Sequence, residues 1–283
     1  MKAKNRKALT ILGLTLPAVI YTVIWFLVPS LLLISFSLYT KRGMGTELKI
    51  ITNPTTENYF KTFQGDLLDS LVWSIEVAII IATFSIVIAL PAAYYLVRGK
   101  GPKAFIDLSL LFPFFGGIFY AYALLYAFAP QGIINWILIN LHLVQEPLRL
   151  LKSNESVIIV SAIINTSIAI MLLRSGLIEV DPVYEEAAMC MGASRLKTFF
   201  KIDLLMVKTA IAGAWLLIFG GEIASYNIPY IVAGPHNRWI SSKLYLQLIQ
   251  YTNFPLSAAI AVVLTVFSGI VLYAYMKIVE KGK

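Results

Sequence analysis

"VAIIIATFSIVIALPAAYYLV" (Val77–Val97) carries no charged residue and no polar stripe. A helix on the surface of a water-soluble core would show such a stripe at the 3.6-residue period. A bilayer core needs about 20 apolar residues per helix, and this stretch supplies them. Five more runs of the same kind surround it, giving Leu9–Tyr39, Leu71–Val97, Ala104–Ala129, Val157–Leu173, Thr209–Ile231 and Pro255–Met276. Composition agrees. The 283 residues are 59% hydrophobic and 13% charged, where a soluble domain is nearer one quarter charged. The expected fold is an all-α polytopic membrane protein of about six spanning helices, a single domain over residues 1–283.

The basic start "MKAKNRK" followed by apolar residues imitates a secretory signal. The apolar stretch is much longer than the usual 7–15 residues or so and holds no small-residue cleavage site, so it reads as a retained helix. One cysteine, Cys190, allows no internal disulfide. His142 and His236 lie far apart and lack metal-ligand spacing, so no metal and no cofactor is expected. "RGKGPK" (Arg98–Lys103) has the wrong spacing for a phosphate-binding loop and lacks its hydroxyl residue. Without that loop and without a nucleophile–base pair, the chain reads as a transport component and not an enzyme. Its energy must come from a partner that hydrolyses ATP or from an ion gradient.

Lys and Arg mark the cytoplasmic side of a membrane protein. Six spans divide the loops into two sets. Most of the 23 basic residues fall in the set holding the N-terminus, Arg98–Lys103, the loop near 175–208 and the tail. Both termini and the 175–208 loop are therefore expected in the cytoplasm. The net charge of +8 suits a surface facing anionic lipid. No basic face interleaved with aromatics suggests nucleic acid.

The 175–208 loop is long for a connection, and loops of that length usually carry function or are disordered. Its residues predict order. Asp181 can cap a helix that starts at Pro182. Glu185 and Glu186 fall in the first turns, where the helix dipole favours acids. Ala187 and Ala188 allow close approach of another surface, Gly192 can bend the chain, and Ser194 can cap a second helix. Leu196, Phe199 and Phe200 are expected on one face of it. Two short helices at an angle suit docking into a partner's groove.

Glu186-Ala187-Ala188, then Gly192 after three residues, then Ile202-Asp203-Leu204 after nine, resembles the EAA loop of permease subunits from binding-protein-dependent ABC importers. "PQGIINWILINLHLVQEPLRLL" (Pro130–Leu151), "VDPVYEEAAMCMGASRLKTFFKI" (Val180–Ile202) and "YTNFPLSAAIAVVL" (Tyr251–Leu264) are similar to the spermidine/putrescine-type branch, which also includes phosphonate, thiamine and ferric-iron permeases. The resemblance implies a type I importer permease in the cytoplasmic (inner) membrane. Its implied partners are two ABC ATPase subunits, a second permease that is homologous or identical, and an extracytoplasmic solute-binding protein. It also implies that Glu185, Glu186, Ala187, Ala188, Gly192, Ala193, Ser194 and Arg195 couple ATP hydrolysis to transport. The chain departs from the family in two places. Leu204-Leu205 stands where Leu-Pro is usual, so the next helix is expected to start less sharply. Phe115, Gly116 and Gly117 stand where polyamine-type members carry Trp, Thr and Arg.

Acids inside spanning helices are costly and mark function by default. Glu76, Asp107 and Glu222 are the three. Glu222 follows Gly220-Gly221 and precedes "IASYNIPYIVAGP" (Ile223–Pro235), where Gly and Pro should break the helix. Broken backbone at membrane depth is tolerated when buried in protein or lining a wet cavity. Glu222, Tyr226, Asn227 and Tyr230 are the expected substrate path, an acid beside aromatic faces that suits a cation. The expected cargo is a polyamine or another small polar solute. The alternatives are an ABC sugar permease or an ion-coupled secondary transporter.

Overall fold

The computed structural model describes residues 15–40, 54–111, 114, 117–148 and 153–281. Every regular element among them is a helix. The chain divides into two compact units, one of Met1–Gly65 with Leu244–Thr265, the other of Asp66–Lys243 with Val266–Lys283.

In the first unit α1 (Thr15–Ser37) is apolar on all sides, and none of its most apolar window is buried. Only lipid or another subunit can cover such a surface. Its end is tied to α2 (Glu57–Thr62): Asn58 Nδ2 donates to the carbonyls of Ser37 at 2.9 Å and Tyr39 at 2.6 Å, and the Tyr59 and Ser37 hydroxyls meet at 2.6 Å.

The second unit holds the core. The long helix α3 (Gly65–Arg98) contains the uncharged stretch Val77–Val97. Ala78, Ala82, Ser85, Ala89 and Ala93, spaced three or four apart, are all fully or almost fully buried, forming one face of small side chains. Small residues let helices approach closely where lipid supplies no hydrophobic drive. Across this face Ser85 Oγ donates to the Ala162 carbonyl of α7 (Asn154–Ile178) at 3.3 Å. The opposite face is exposed, with Ile80, Phe84 and Val87 bare, as a lipid-facing surface must be.

The third apolar run is not one continuous helix among the described residues. It forms α4 (Ala104–Ser109) and α5 (Gly117–Ala127) with a turn at Leu110–Leu111. Pro113, which has no N–H to donate, stands between them in the sequence; Phe115 and Gly116 lie outside the described residues. Then come α6 (Ile133–Asn140) and α7, opened by a capping box in which Ser153 and Ser156 exchange hydrogen bonds. Two loop helices follow, α8 (Pro182–Cys190) and α9 (Arg195–Met206), and then α10 (Lys208–Ala224), which meets α9 at 68° across Val207. The chain does not turn at Leu204-Leu205. The helix α9 runs on to Met206 before it breaks. The helix α10 is joined to α7 and α3: Glu222 meets Asn165 of α7, and Trp215, stacked on Phe219 of its own helix at 5.0 Å, donates from Nε1 to Thr83 Oγ1 of α3 at 3.1 Å. Beyond a break lie α11 (Asn227–Ala233), α12 (Ile240–Tyr245, continued by a π-helical turn Leu246–Gln250) and α13 (Phe254–Lys281). Among the described residues four helices are long and apolar enough to span a membrane, five with the α9–α10 pair, against the six expected from the apolar runs.

Gly176 on α7 shows how tight this packing is. A Cβ there would sit 2.5 Å from the Ala210 Cβ of α10, so the helices would have to separate. Gly176→Ala should cost about 1–3 kcal/mol by overpacking, read as a lower unfolding midpoint in detergent. Ala210→Gly in the same chain should restore it.

Candidate functional site

The loop between α7 and α10 is built by its caps. Asp181 Oδ1 accepts from Val183 N at 3.0 Å and Pro182 opens α8. The helix ends in a Schellman motif: Gly192 N donates to Met189 O and Ala193 N to Ala188 O, both at 3.0 Å. This closure needs a left-handed residue, and Gly192 supplies it at φ +88°. Ser194 then caps α9, its Oγ accepting from Lys197 N at 3.3 Å. A groove of about 270 Å³ between the two helices is lined by Ala188, Gly192, Ala193 and Lys201 among others.

The residues of this loop divide into two groups. Glu186, Ala187, Gly192, Ser194 and Arg195 are exposed and Ala193 half-buried. Around them Val183, Tyr184, Met191, Leu196 and Phe200 also stand in the open. Glu185 and Ala188, three apart, turn inward and are buried. Phe199 does not share the face of Leu196 and Phe200: it packs edge-on against Tyr94 of α3 at 4.8 Å, where a π-helical turn over Phe199–Asp203 alters the local register.

Glu185 is held by Arg98, the last residue of α3. Arg98 Nε donates to Glu185 Oε1 at 2.6 Å and Nη2 donates to the Val180 carbonyl at 2.6 Å. Asp203 lies nearby, wholly buried, and neither of its carboxyl oxygens has a hydrogen-bond partner among the described residues. Burial first, and then the neighbouring Glu185 charge, push the Asp203 carboxyl up to about 6 against the opposing pull of Arg98. Arg98 and Asp203 escape the sequence reading because their partners are more than eighty and about twenty residues away. The one visible sign is an acid in the middle of Ile202-Asp203-Leu204.

The second candidate region lies at the end of α10. Gly220 and Gly221 remain inside the helix, which stops at Ala224, and Ser225 is extended at ψ 118°. Glu222 is 5% exposed. Its Oε1 accepts from Asn165 Nδ2 of α7 at 2.7 Å, and the same Nδ2 donates to the Ser161 carbonyl at 2.8 Å. Oε2 has no partner among the described residues. Beyond the break, Tyr226 and Tyr230 place their rings 5.1 Å apart; Tyr230 and Asn227 are exposed and Tyr226 half-buried. The helix break thus separates an inward acid from an outward aromatic pair. Of the other acids, Glu76 is exposed and Asp107 pairs with Arg174 at 3.5 Å. No cluster of three or more His, Cys, Asp or Glu able to hold a metal occurs among the described residues.

Asn165→Leu removes the donor from a buried carboxyl group. It should cost about 1–3 kcal/mol in detergent unfolding, and Glu222→Leu added to it should recover most of the loss.

No protein-family model matches the chain. It is 24% identical to the spermidine/putrescine transport system permease protein PotB of Salmonella typhimurium (strain SL1344) over 278 residues, 98% of this chain and 93% of that protein. It is also 24% identical to the glucose import system permease protein GlcT of Saccharolobus solfataricus, over 90% of this chain and 89% of that one. A solved bacterial ABC transporter involved in import of the acidic polysaccharide alginate has a chain of the same fold, with a TM-score of 0.73 at 16% identity over 99% of this chain and 98% of that one; another structure of an alginate transporter holds a ligand-bound periplasmic protein. Over nearly its whole length the chain is homologous to permease subunits of importers, and it has the fold of ABC importer permeases.

Proposed function

We propose that this chain works as the transmembrane permease subunit of a binding-protein-dependent ABC importer. The whole of 1–283 acts as one permease domain in the cytoplasmic (inner) membrane, with both termini in the cytoplasm, and supplies half of the translocation path. A second permease, identical or homologous, supplies the other half. Two separate ATPase subunits hydrolyse the ATP, and an extracytoplasmic protein delivers the cargo. The observation that carries this reading is the capped α8–α9 loop, whose exposed face mixes Glu186 and Ala187 with bare Val183, Met191 and Leu196. A surface of that kind outside the membrane asks for a protein partner.

Glu186, Ala187, Gly192, Ala193, Ser194 and Arg195 form the docking element, with the inward Ala188 at the base of its groove. Glu185 belongs to it from the inside, holding α8 to Arg98. An acid at Gly192 would have to lose its water on docking, which is costly. Gly192→Asp should abolish at least nine tenths of ATP-driven uptake in proteoliposomes carrying the complete transporter. Gly192→Asn, which suits the left-handed backbone without adding charge, should retain far more. Equal uptake by Gly192→Asp and the wild type would reject the docking surface.

The cargo we propose is a polyamine, which the kinship with PotB supports. In this reading Tyr226, Asn227 and Tyr230 line the path with aromatic faces that attract a polycation, and Glu222 behind them becomes its counter-charge when the cation arrives. A sugar is the second reading, favoured by the kinship with GlcT. Glu222→Gln should lower uptake of radiolabelled spermidine several-fold with unchanged assembly. Full uptake would remove Glu222 from the path, and uptake of a radiolabelled sugar in place of spermidine would favour the second cargo. Uptake without any ATPase would point to an ion-coupled transporter.

A further inference from the structure

We infer that Arg98, Glu185 and Asp203 form a two-position latch, in which Asp203 is the second acceptor for the Arg98 guanidinium when α8 leaves α3. The geometry rests on three elements. Arg98 ends the long helix α3, Glu185 lies on the first loop helix, and Asp203 lies on α9 just ahead of the Val207 bend. One cation faces two acids in a largely buried cluster. Glu185 holds the guanidinium at 2.6 Å. Asp203 is wholly buried, and neither carboxyl oxygen has a hydrogen-bond partner among the described residues.

A buried carboxylate without a donor is costly, so in the closed position Asp203 is favoured as the neutral acid. A buried arginine stripped of its acid is costly as well. If the loop helix moves away and takes Glu185 with it, Arg98 needs a new acceptor. Asp203 becomes that acceptor by releasing its proton to water, and the guanidinium stays paired at both ends of the movement. A cavity of about 590 Å³ lined by Tyr94, Arg98, Arg195 and Phe199 lies beside the guanidinium and gives it room to swing. Besides Glu185 and Arg98, the titratable groups facing the cluster are Tyr94 of α3 and Arg195 beside it.

The sign follows from the raised Asp203 carboxyl. The closed latch is fully stabilised when Asp203 is protonated in both folded and open chains. It loses stability as pH rises past the unfolded value near 3.9 or so and through about 6. The loop is held more firmly near pH 5 than near pH 8. Arg98 and Asp203 are positioning residues and touch no cargo. Their effect on transport rests on the coupling reading above, but the latch itself does not.

The deciding experiment is hydrogen exchange over residues 182–206 of the full-length chain in nanodiscs, without ATPase, from pH 5 to pH 8 and corrected for intrinsic exchange. Wild-type protection should fall several-fold as pH rises. Asp203→Asn should stay protected throughout, Asp203→Glu should restore the slope, and Arg98→Gln should be unprotected at every pH. A flat wild-type profile overturns the latch, as does an Asp203→Asn profile with the wild-type slope. If Asp203→Asn does not fold, the wild-type profile decides alone. A sloping wild-type profile together with normal uptake by Gly192→Asp would keep the latch and remove the coupling reading.

Discussion

In hydrocarbon no water is available to a backbone N–H or C=O, so every such group must be satisfied within its own segment. That constraint suits the helical form of the candidate spans among the described residues. It also fixes how the helices meet. Lipid is as apolar as leucine, so burying leucine between helices gains little, and close contact of small residues takes over. The alanine and serine face of α3 and the contact of Gly176 with Ala210 are consequences. Where a helix stops at depth, as α10 does at Ala224, its loose ends need local partners. The Ser225 carbonyl finds one in the Ser241 hydroxyl at 2.5 Å.

Polar pairs inside this core are few and specific. Glu222 and Asn165 join α10 to α7, and Ser74 Oγ accepts from the Ile240 N–H at 2.9 Å to seat α12 on α3. Trp73, between Trp239 at 6.4 Å and the Arg238 guanidinium at 4.4 Å, covers that second junction. A misplaced polar group here would have nothing else to bond with, so each pair sets helix register as well as adding stability.

The sequence revealed most where a residue acts on its own backbone. Asp181, Pro182, Gly192 and Ser194 announce the caps and turns they make, because capping is decided within three or four residues. Apolar run length announced the long helices α1, α3, α7 and α13, but not that the third run would be divided between α4 and α5. The missing proline after Leu204 suggested a less abrupt helix start, whereas α9 and α10 meet at 68° across Val207. The burial of Glu185 and exposure of Glu186 were not legible. Adjacent acids on a helix point about 100° apart, and only the packing of α8 on α3 decides which one meets Arg98. The Asn165 partner of Glu222 was hidden for the same reason: a contact across 57 residues leaves no periodic trace.

Cys190, the chain's one cysteine, closes α8 and is exposed, two residues before the left-handed glycine. A thiol-reactive fluorophore or spin label added to the unaltered chain would therefore attach at a single position, on α8 itself. The wild-type protein comes already equipped with a spectroscopic reporter, and its loop can be followed in real time without first building a cysteine-free background.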